Sequence, residues 1–550
     1  TAGNPETDAT ATSQTTTNFN WLLEQTLNYS KQFGNHSINA LAGWSLQKDD
    51  LRGNYAYASG FISNQITTLS AGRVTDGTSE QSQWSLASGI ARIQYNYLGK
   101  YLLTASVRAD GSSKFGVNKR WGNFPSASVG WRLSDEKFME GVSFISDLKL
   151  RVSYGLTGNF KIPNYGALGS MAYFAYVFGN NPPKAVNGAA PTSRPNPNLS
   201  WEKTAQTNFG LDAGFWSNRL TVSLDYYNSN TKDLLLNVPV PISTGFSTEL
   251  INIGKVNNRG FEVNIGTSNR FGNLVWNASV NFSTNKNKVI ELGPGNADII
   301  NSGSVANAYF ITRVGEPIGS YFLPKVLGVF ATQADVDAYP HFMDAASNFG
   351  LATTKPGDFK FWDADGDGKI NLTSDRTIIG SYQPKYTFGF ATDLQWKEFD
   401  FSVALQGVNG NKILNLGRRY FYNHEGNMNN YAGAVNRWKS ESEPGSGKNA
   451  RANRVGKGQN GITSSWHVED GSYLRIRNIT LGYSLPSPVI ERWGITKTRL
   501  YLSLQNMFTF TKYEGYNPEV SNRSVSTTNG EDYGVYPTAK TVSVGINLTF

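Results

Sequence analysis

The chain has 550 residues, of which 39% are hydrophobic and 13% aromatic, with 56 glycines and no cysteine. No stretch approaches the ~18 consecutive apolar residues of a membrane-spanning helix, and the lack of cysteine excludes a disulfide scaffold and thiol chemistry. The formal net charge of +8 is spread along the chain. Its densest basic stretch, 437–457, lies in a polar Gly/Ser/Asn segment, which favours a solvated loop over a nucleic-acid patch. Many aromatic residues combined with a negative mean hydropathy are typical of a membrane β-barrel, in which only alternate residues face lipid.

Alternation of apolar and polar residues predicts seventeen strands. In chain order these are 18–30, 37–47, 84–97, 101–110, 124–133, 147–157, 201–215, 220–228, 250–268, 274–284, 309–313, 318–330, 386–396, 399–406, 473–485, 499–511 and 541–550. The last is the clearest, because every even position from 542 to 550 is apolar and every odd one is polar or Gly. Within 473–485 the alternation changes phase, which predicts a bulge near Arg477 and Asn478.

The predicted strands are joined alternately by short turns and by long segments such as the polar stretch 48–80. Bacterial outer-membrane barrels have short periplasmic turns and long extracellular loops. The sequence therefore predicts an all-β fold, a transmembrane antiparallel β-barrel with long extracellular loops. If the last strand descends towards the periplasm, every tight turn falls on the periplasmic side and the first strand also descends. Residues 1–17 are then expected to be the remnant of an extracellular loop, and 18–550 the barrel.

Seventeen strands cannot form a whole barrel wall. Bacterial barrels have an even number of strands, and an open edge in lipid would leave backbone groups without hydrogen-bond partners. We therefore expect a further N-terminal portion with an odd number of strands, either missing from this chain or on a separate one.

Six short sequences are distributed over nearly the whole chain. They are YGLTGN at 154–159, NPNLSWEKT at 196–204, NRGFEV at 258–263, GEPIGSY at 315–321, YLRIRNITLGY at 473–483 and LQNM at 504–507. Together they resemble the SusC/RagA family, the TonB-dependent outer-membrane transporters of Bacteroidetes. The resemblance implies a barrel of 22 strands, five of them outside this chain, with an N-terminal plug and a SusD-like lipoprotein lid. It also implies import of oligosaccharides or peptides driven by TonB, which would contact a part of the protein that is not in this sequence.

An acidic loop is the sharpest local motif. Asp363, Asp365 and Asp367, followed by glycine, resemble the start of a Ca²⁺ loop, in which hard oxygen ligands surround a tight turn. Asn371 and Asp375 complete the candidate ligands. Asp375 falls one position later than the closing Glu of an EF-hand, and the flanks look like loop and strand rather than helices. We expect structural Ca²⁺ in an extracellular loop and no catalytic cofactor; a solvated acidic turn is the alternative.

Aromatic, basic and amide side chains of the long loops are candidates for substrate binding, because sugars stack on aromatic faces and peptides hydrogen-bond to amides. The candidates are Arg418, Arg419, Tyr420, Tyr422, His424, Asn427, Asn430, Tyr173, Tyr176 and Trp466. Packing within the loops, or contact with a lid, is the alternative for each of them.

No catalytic set stands out, since the chain has four His, no Cys, no nucleophile elbow and no P-loop pattern. We expect a non-enzymatic importer barrel of the cell outer membrane, with lipid, a SusD-like lipoprotein, TonB and a glycan or peptide substrate as partners, and no nucleic acid. The alternative is a non-energised outer-membrane barrel, namely a porin, an adhesin or a secretion-associated barrel. A soluble β-rich enzyme or glycan-binding module is disfavoured by the asymmetry between turns and loops.

Overall fold

The computed structural model describes residues 9–62, 65–66, 68–178, 184–342, 354–422, 425, 429–453, 459–486, 494–520 and 526–550. Strands dominate these residues. The first fifteen are β1 (Thr10–Phe33), β2 (His36–Ser59), β3 (Arg73–Tyr97), β4 (Tyr101–Ser112), β5 (Trp121–Arg132), β6 (Ile145–Asn159), β7 (Met171–Phe178), β8 (Lys184–Pro191), β9 (Glu202–Phe215), β10 (Leu220–Lys232), β11 (Leu235–Pro239), β12 (Thr248–Asn252), β13 (Lys255–Phe271), β14 (Leu274–Thr284) and β15 (Lys286–Glu291).

The remaining strands are β16 (Ile299–Ser302), β17 (Tyr309–Thr312), β18 (Ser320–Pro324), β19 (Val326–Val329), β20 (Phe359–Phe361), β21 (Arg376–Gly380), β22 (Tyr386–Trp396), β23 (Phe399–Asn409), β24 (Lys412–Asn415), β25 (Val468–Asp470), β26 (Tyr473–Ser484), β27 (Lys497–Thr511), β28 (Glu531–Asp532) and β29 (Thr541–Thr549). Two short α-helices are α1 (Gln333–Asp337) and α2 (Arg418–Phe421). Single 3₁₀ turns occupy Leu69–Ala71, Leu133–Asp135, Lys137–Met139, Ile242–Thr244, Pro294–Asn296, Ala432–Asn436, Gln459–Gly461, Ser465–His467 and Ser526–Thr528. Among the described residues, neither helix has the length and apolarity needed to cross a membrane.

Sixteen strands belong to one large sheet, namely β1 to β6, β9, β10, β13 to β15, β22, β23, β26, β27 and β29. Fifteen of the seventeen predicted strands have their counterparts there. The chain divides into two compact units. Unit 1 comprises Thr1–Trp131, Arg151–Thr207 and Thr231–Gly254, and unit 2 comprises Arg132–Leu150, Asn208–Asn230 and Lys255–Phe550.

Unit 1 contains three long strands, β1, β2 and β3. β1 pairs with β2 over its full length, from Thr10 opposite Ser59 to Phe33 opposite His36, and β2 pairs with β3 in the same antiparallel way. At ~3.4 Å per residue a strand of 24 residues spans roughly 80 Å, whereas ~9–11 residues cross a bilayer. More than half of each strand therefore extends beyond the hydrocarbon.

These strands correct the expectation that 48–80 is a polar connection. β2 continues to Ser59 and β3 starts at Arg73, so the connection is much shorter than predicted. β1 likewise begins at Thr10, earlier than the predicted start at Asn18. Outside the lipid both faces of a strand meet water, and its sequence then has no reason to alternate.

The core of unit 1 surrounds Trp201, from the NPNLSWEKT sequence. Its ring lies 4.7 Å from the ring of Phe115 and 5.4 Å from that of Phe124, measured between centroids, and its indole N–H donates to the Arg120 carbonyl at 2.9 Å. A Cβ at Gly158 would come within 2.2 Å of the Phe124 ring, so only glycine fits there.

In unit 2, seven strands of the large sheet pair in chain order: β13, β14, β22, β23, β26, β27 and β29. Two-residue turns join β13 to β14 and β22 to β23, with positive φ at Gly272 and Lys397, as hairpin turns of this length require. The predicted bulge in β26 is confirmed, because the pairing of β26 with both neighbouring strands skips Arg477.

Apolar side chains of the wall strands are exposed. On β29, Val542, Val544, Ile546 and Leu548 are between 44% and 82% exposed, and they alternate with polar residues and Gly545. A soluble sheet would bury such a stripe against a second layer. The exposed stripe is what a wall in contact with hydrocarbon requires.

Two predicted wall strands, 309–313 and 318–330, belong elsewhere. β17 and β18 pair with β16 and β21 in a separate four-stranded sheet, and β19 pairs with β20. Each has only four or five residues, and every residue of β18 is buried. They are apolar because they form the core of the loops, with Phe310, Tyr321 and Leu323 fully buried, and they are too short to cross a bilayer.

Candidate functional site

Helix α2 carries three of the predicted substrate-binding residues, Arg418, Arg419 and Tyr420. A fourth, Tyr422, directly follows the helix. The helix directly follows β24, which pairs with β25 and β28, and Leu414 and Leu416 are completely buried in the core of the loops. Because α2 has only four residues, its position is fixed by the packing of these neighbours.

Arg418 is the centre of this site. Its Nε lies 2.8 Å from an oxygen of Glu469, and one Nη donates to Glu514 at 2.9 Å. The other Nη donates to the Trp466 carbonyl at 2.6 Å, and the guanidinium lies 5.0 Å from the Trp466 ring centroid. Because these partners occupy both sides of its fork, Arg418 holds several loop segments together and has little capacity left for a ligand.

Aromatic rings surround Arg418. Tyr431 lies 5.0 Å from Phe421 and 5.1 Å from Tyr422 between ring centroids, and Tyr422 lies 6.1 Å from Trp466. Tyr516 contributes a further ring to the same small cavity of about 50 Å³. We refer to Phe421, Tyr422, Tyr431 and Tyr516 as the aromatic patch. Phe421, Tyr431 and Tyr516 are 42%, 41% and 67% exposed, so their faces are accessible to a ligand.

Arg419 and Tyr420 have other partners. Arg419 donates to Thr463 Oγ1 at 3.0 Å and to the Ala306 carbonyl at 3.3 Å. The hydroxyl oxygens of Tyr420 and Tyr533 lie 3.0 Å apart. Both side chains therefore tie α2 to neighbouring segments.

The other candidates are dispersed. Asn430 is exposed and directly precedes Tyr431 of the aromatic patch. His424 and Asn427 lie outside the described residues. Tyr173 and Tyr176 belong to unit 1, where they lie on β7, paired with β8, and are 86% and 63% exposed.

Phe421, Tyr431 and Tyr516 of the aromatic patch are not among the residues predicted from the sequence. Tyr516 lies in the last long loop, 94 positions after Tyr422 by their numbers, and only the tertiary structure brings it to α2. Phe421 lies within the predicted stretch 418–430 and Tyr431 directly follows it, so a count of every aromatic residue in 418–431 would have included both.

His467, next to Trp466, is buried beneath the site. Burial and the positive charges of Arg418 and Arg419 lower the pKa of His467 to about 3. Its Nδ1 accepts from the Ser464 backbone N–H at 3.2 Å, which is consistent with a neutral ring. The imidazole is therefore a packing element of the loops.

The acidic loop connects β20 to β21 and is anchored by the buried Ile370. One carboxylate oxygen from each of Asp363, Asp365 and Asp375 lies within 4.8 Å of the other two. Asp367 is not in this group of carboxylates. Asp367 accepts from the backbone N–H of Lys369, and the amide oxygen of Asn371 accepts from that of Thr373. The loop thus has three convergent carboxylates and two further oxygen atoms, of Asp367 and Asn371, that could serve as metal ligands.

Backbone hydrogen bonds hold these carboxylates in place. Asp363 accepts from Gly366 N–H at 2.8 Å and Gly368 N–H at 3.0 Å, and Asp375 accepts from Ala364 N–H at 2.7 Å. Asp375 is 1% exposed, and burial raises its pKa. Hard carboxylate oxygens held this close fit a divalent cation of the Ca²⁺ type.

Comparison with known proteins identifies the family. Residues 1–507 match the family model described as "TonB dependent receptor-like, beta-barrel". TonB-dependent receptor P3 of Formosa agariphila is 36% identical over 552 residues, which cover 96% of this chain and 52% of that protein. TonB-dependent receptor SusC of Bacteroides thetaiotaomicron is 31% identical over 494 residues, 87% of this chain and 45% of that protein. The chain thus spans about half the length of the curated relatives it matches.

A solved structure agrees with these matches. The structure of the RagAB peptide transporter superposes with a TM-score of 0.81 and 25% sequence identity, over 98% of this chain and 56% of that one. These relatives are receptors and transporters, not enzymes, and their wall is an antiparallel β-barrel of the outer membrane. The chain therefore belongs to the TonB-dependent receptor-like β-barrel family, in its SusC/RagA branch, and crosses the outer membrane with many strands.

Proposed function

We propose that this chain forms the wall and outer loops of an active importer, energised through TonB, that takes up oligosaccharides or peptides together with a SusD-like lipoprotein lid. The names of SusC and of the RagAB peptide transporter support this assignment. The TonB contact would lie in a part of the protein outside this sequence.

The observation that carries the proposal is the aromatic patch. Three of its rings present exposed faces, and Arg418 beside them is paired with two carboxylates, those of Glu469 and Glu514. Exposed rings on a rigid support suit the apolar face of a sugar, or a peptide backbone with small side chains. The network fixes the rings before a ligand arrives, which lowers the entropic cost of binding.

The experiment uses cells that produce the full-length protein. We expect uptake of the oligomer to stop when tonB is deleted, and Tyr431→Ala with Tyr516→Ala to weaken binding about tenfold, the equivalent of ~1.4 kcal/mol for lost ring stacking. Tyr536→Ala is the matched control, because Tyr536 is 88% exposed and is not part of the patch. Uptake that continues without TonB would instead identify a passive barrel.

The two substrate classes can be separated with the purified full-length protein. Mixtures of neutral oligosaccharides and of peptides are offered in parallel, and the bound fraction is recovered and weighed by mass spectrometry. If the wild type retains oligosaccharides or peptides and the double variant does not, the retained class is the substrate. If the wild type retains neither class, the aromatic patch is not the binding site.

We also propose that the acidic loop holds a structural Ca²⁺ on Asp363, Asp365 and Asp375, with Asp367 and Asn371 as further donors. The convergent carboxylates support it. Chelation of Ca²⁺ should make the loop of the full-length protein more sensitive to protease. Asp365→Asn should raise the protease sensitivity of the loop even without chelator. The exposed control, Asp337→Asn, should leave it unchanged. A cleavage rate that ignores both Ca²⁺ and Asp365→Asn would contradict the proposal.

A further inference from the structure

The outward face of β13 and β14 ends in an aromatic boundary. Val263 and Ile265 pair with Phe282 and Val280 on one face of the sheet, and Phe261 is the next residue of β13 on that face. The residues between them on β13 are polar or Gly, as expected for the lumen side. Phe261 is 58% exposed, and its face meets the lipid because that face is apolar whereas the face of Glu262 and Asn264 is polar.

Rings mark the outer limit of the apolar band. Phe261 lies 4.9 Å from Tyr226 and Phe282 lies 5.5 Å from Tyr386, measured between ring centroids. Aromatic girdles of this kind lie at the boundary between hydrocarbon and headgroups. These strand ends are opposite the short turns and therefore face the cell exterior.

Beyond the rings, the same face becomes cationic. The register continues from β14 into β15 without a shift, so that Arg259 pairs with Lys286 and Asn257 with Lys288. Arg259 follows Phe261 on the same face at roughly 7 Å, two residues along the strand. On the opposite face Val256 and Val289 are buried, which confirms that the cations face outwards.

A cavity of about 1250 Å³ adjoins these cations. Lys385 and Lys412 line its far side, so five basic side chains border it against two acidic ones, Glu316 and Asp470. Within the described part of the chain, none of the five takes part in an ion pair. Five cations against two carboxylates leave an excess of positive charge, and an anionic ligand would relieve the repulsion among the cations.

We propose that this cavity binds the phosphate groups of an anionic lipid in the outer leaflet. The position of the cations directly beyond an aromatic girdle, on the lipid side of the wall, favours a lipid headgroup over a soluble substrate, which would approach from the lumen. Basic clusters at this level attract anionic headgroups. β22 pairs with β14 up to Thr284 and not with β15, which continues β14. A lipid bound at this point would also stabilise the wall there.

The test uses the full-length protein in nanodiscs of phosphatidylglycerol or phosphatidylcholine, with retained lipid measured by native mass spectrometry. We expect retention of phosphatidylglycerol, and a loss of about tenfold or more in Arg259→Gln/Lys286→Gln/Lys288→Gln. Lys119→Gln/Lys439→Gln/Lys448→Gln removes the same charge from exposed loops and should retain the lipid. Lys286→Arg/Lys288→Arg, which keeps the charge, should retain it too.

Three results would overturn the proposal. They are equal retention of both lipids by the wild type, unchanged retention in the triple glutamine variant, and displacement of the lipid by inorganic phosphate at equal concentration. Heat-modifiable migration in gels verifies that each variant is folded. Uptake of substrate through the lumen is measured separately, so failure here leaves the importer assignment standing.

Discussion

Arg475 and Glu519 form an ion pair of 2.7 Å in which the arginine side chain is only 3% exposed. Arg475 lies on β26 of the wall, and Glu519 lies in the long loop that follows β27. Arg475 also donates to Asn517 at 2.9 Å, and Glu519 accepts from the Tyr473 hydroxyl at 2.9 Å and from Arg477 at 3.0 Å. A wall strand thereby fixes the loop that supplies Tyr516 to the aromatic patch.

Removing the charge of Glu519 should release this loop. Glu519→Gln leaves Arg475 buried without a counter-charge, and breaking a buried pair from one side costs about 3–5 kcal/mol. We expect hydrogen exchange of residues 513–520 to accelerate by two or more orders of magnitude while the wall strands stay protected.

The exposed pair of Lys439 and Glu443 provides the control. Its side chains are 48% and 64% exposed, so Glu443→Gln should change local stability by less than about 1 kcal/mol. Similar effects of the two substitutions would mean that burial does not govern the Arg475 pair.

The wall was predictable because lipid imposes a period of two on it. The predicted strand 386–396 matches β22, and 274–284 matches β14, to the residue. The phase change that located the bulge at Arg477 is a property of the local sequence alone. Hydrocarbon on one side and water on the other is a constraint that each strand meets independently of its neighbours.

The loops were not predictable in the same way. The strand 318–330 was placed in the wall because a short buried strand and a membrane strand are both apolar, and only tertiary contacts distinguish them. The role of Arg418 was equally hidden, since Glu469 and Glu514 come from other loops. Composition identified the right stretch for the site, but the partners that neutralise Arg418 depend on the fold.

The buried His467 should make the loop core sensitive to acid. Its pKa is about 3 in the folded protein against 6.5 for the free side chain, so the unfolded state takes up the proton first. Its contribution to stability is therefore complete above pH 6.5 and is lost as the pH falls towards 3. Between pH 7 and pH 5 the loss should be about 2 kcal/mol. Hydrogen exchange of 464–468, corrected for the intrinsic pH dependence, measures it.

His467→Gln separates this effect from other titrations. The variant loses packing at every pH, but its local stability should no longer fall between pH 7 and pH 5. A slope that persists in the variant would assign the acid sensitivity to another group.

The two faces of β29 should respond in opposite ways to a charge. Val544 is 82% exposed on the lipid side, and Arg at the bilayer midplane costs about 2–4 kcal/mol. Ser543 belongs to the other face, where a charge can remain in water. In urea titrations of the full-length protein in lipid, Val544→Arg should be destabilised by this amount and Ser543→Arg by much less. The reverse order would show that the apolar stripe faces away from lipid.

The bulge at Arg477 sets which face of β26 points into the lumen. Arg477 is the extra residue of β26 opposite β23, so deleting it would restore regular pairing with β23 only by turning one end of β26 over. Either Tyr473 and Arg475 then face lipid and lose Glu519, or the apolar Ile479 and Leu481 face the lumen. We expect the deletion to abolish heat-modifiable migration, whereas Arg477→Ala, which keeps the backbone and loses one contact with Glu519, should fold. Normal folding of the deletion variant would mean that β26 tolerates either register and that the phase change in its sequence carries no structural information.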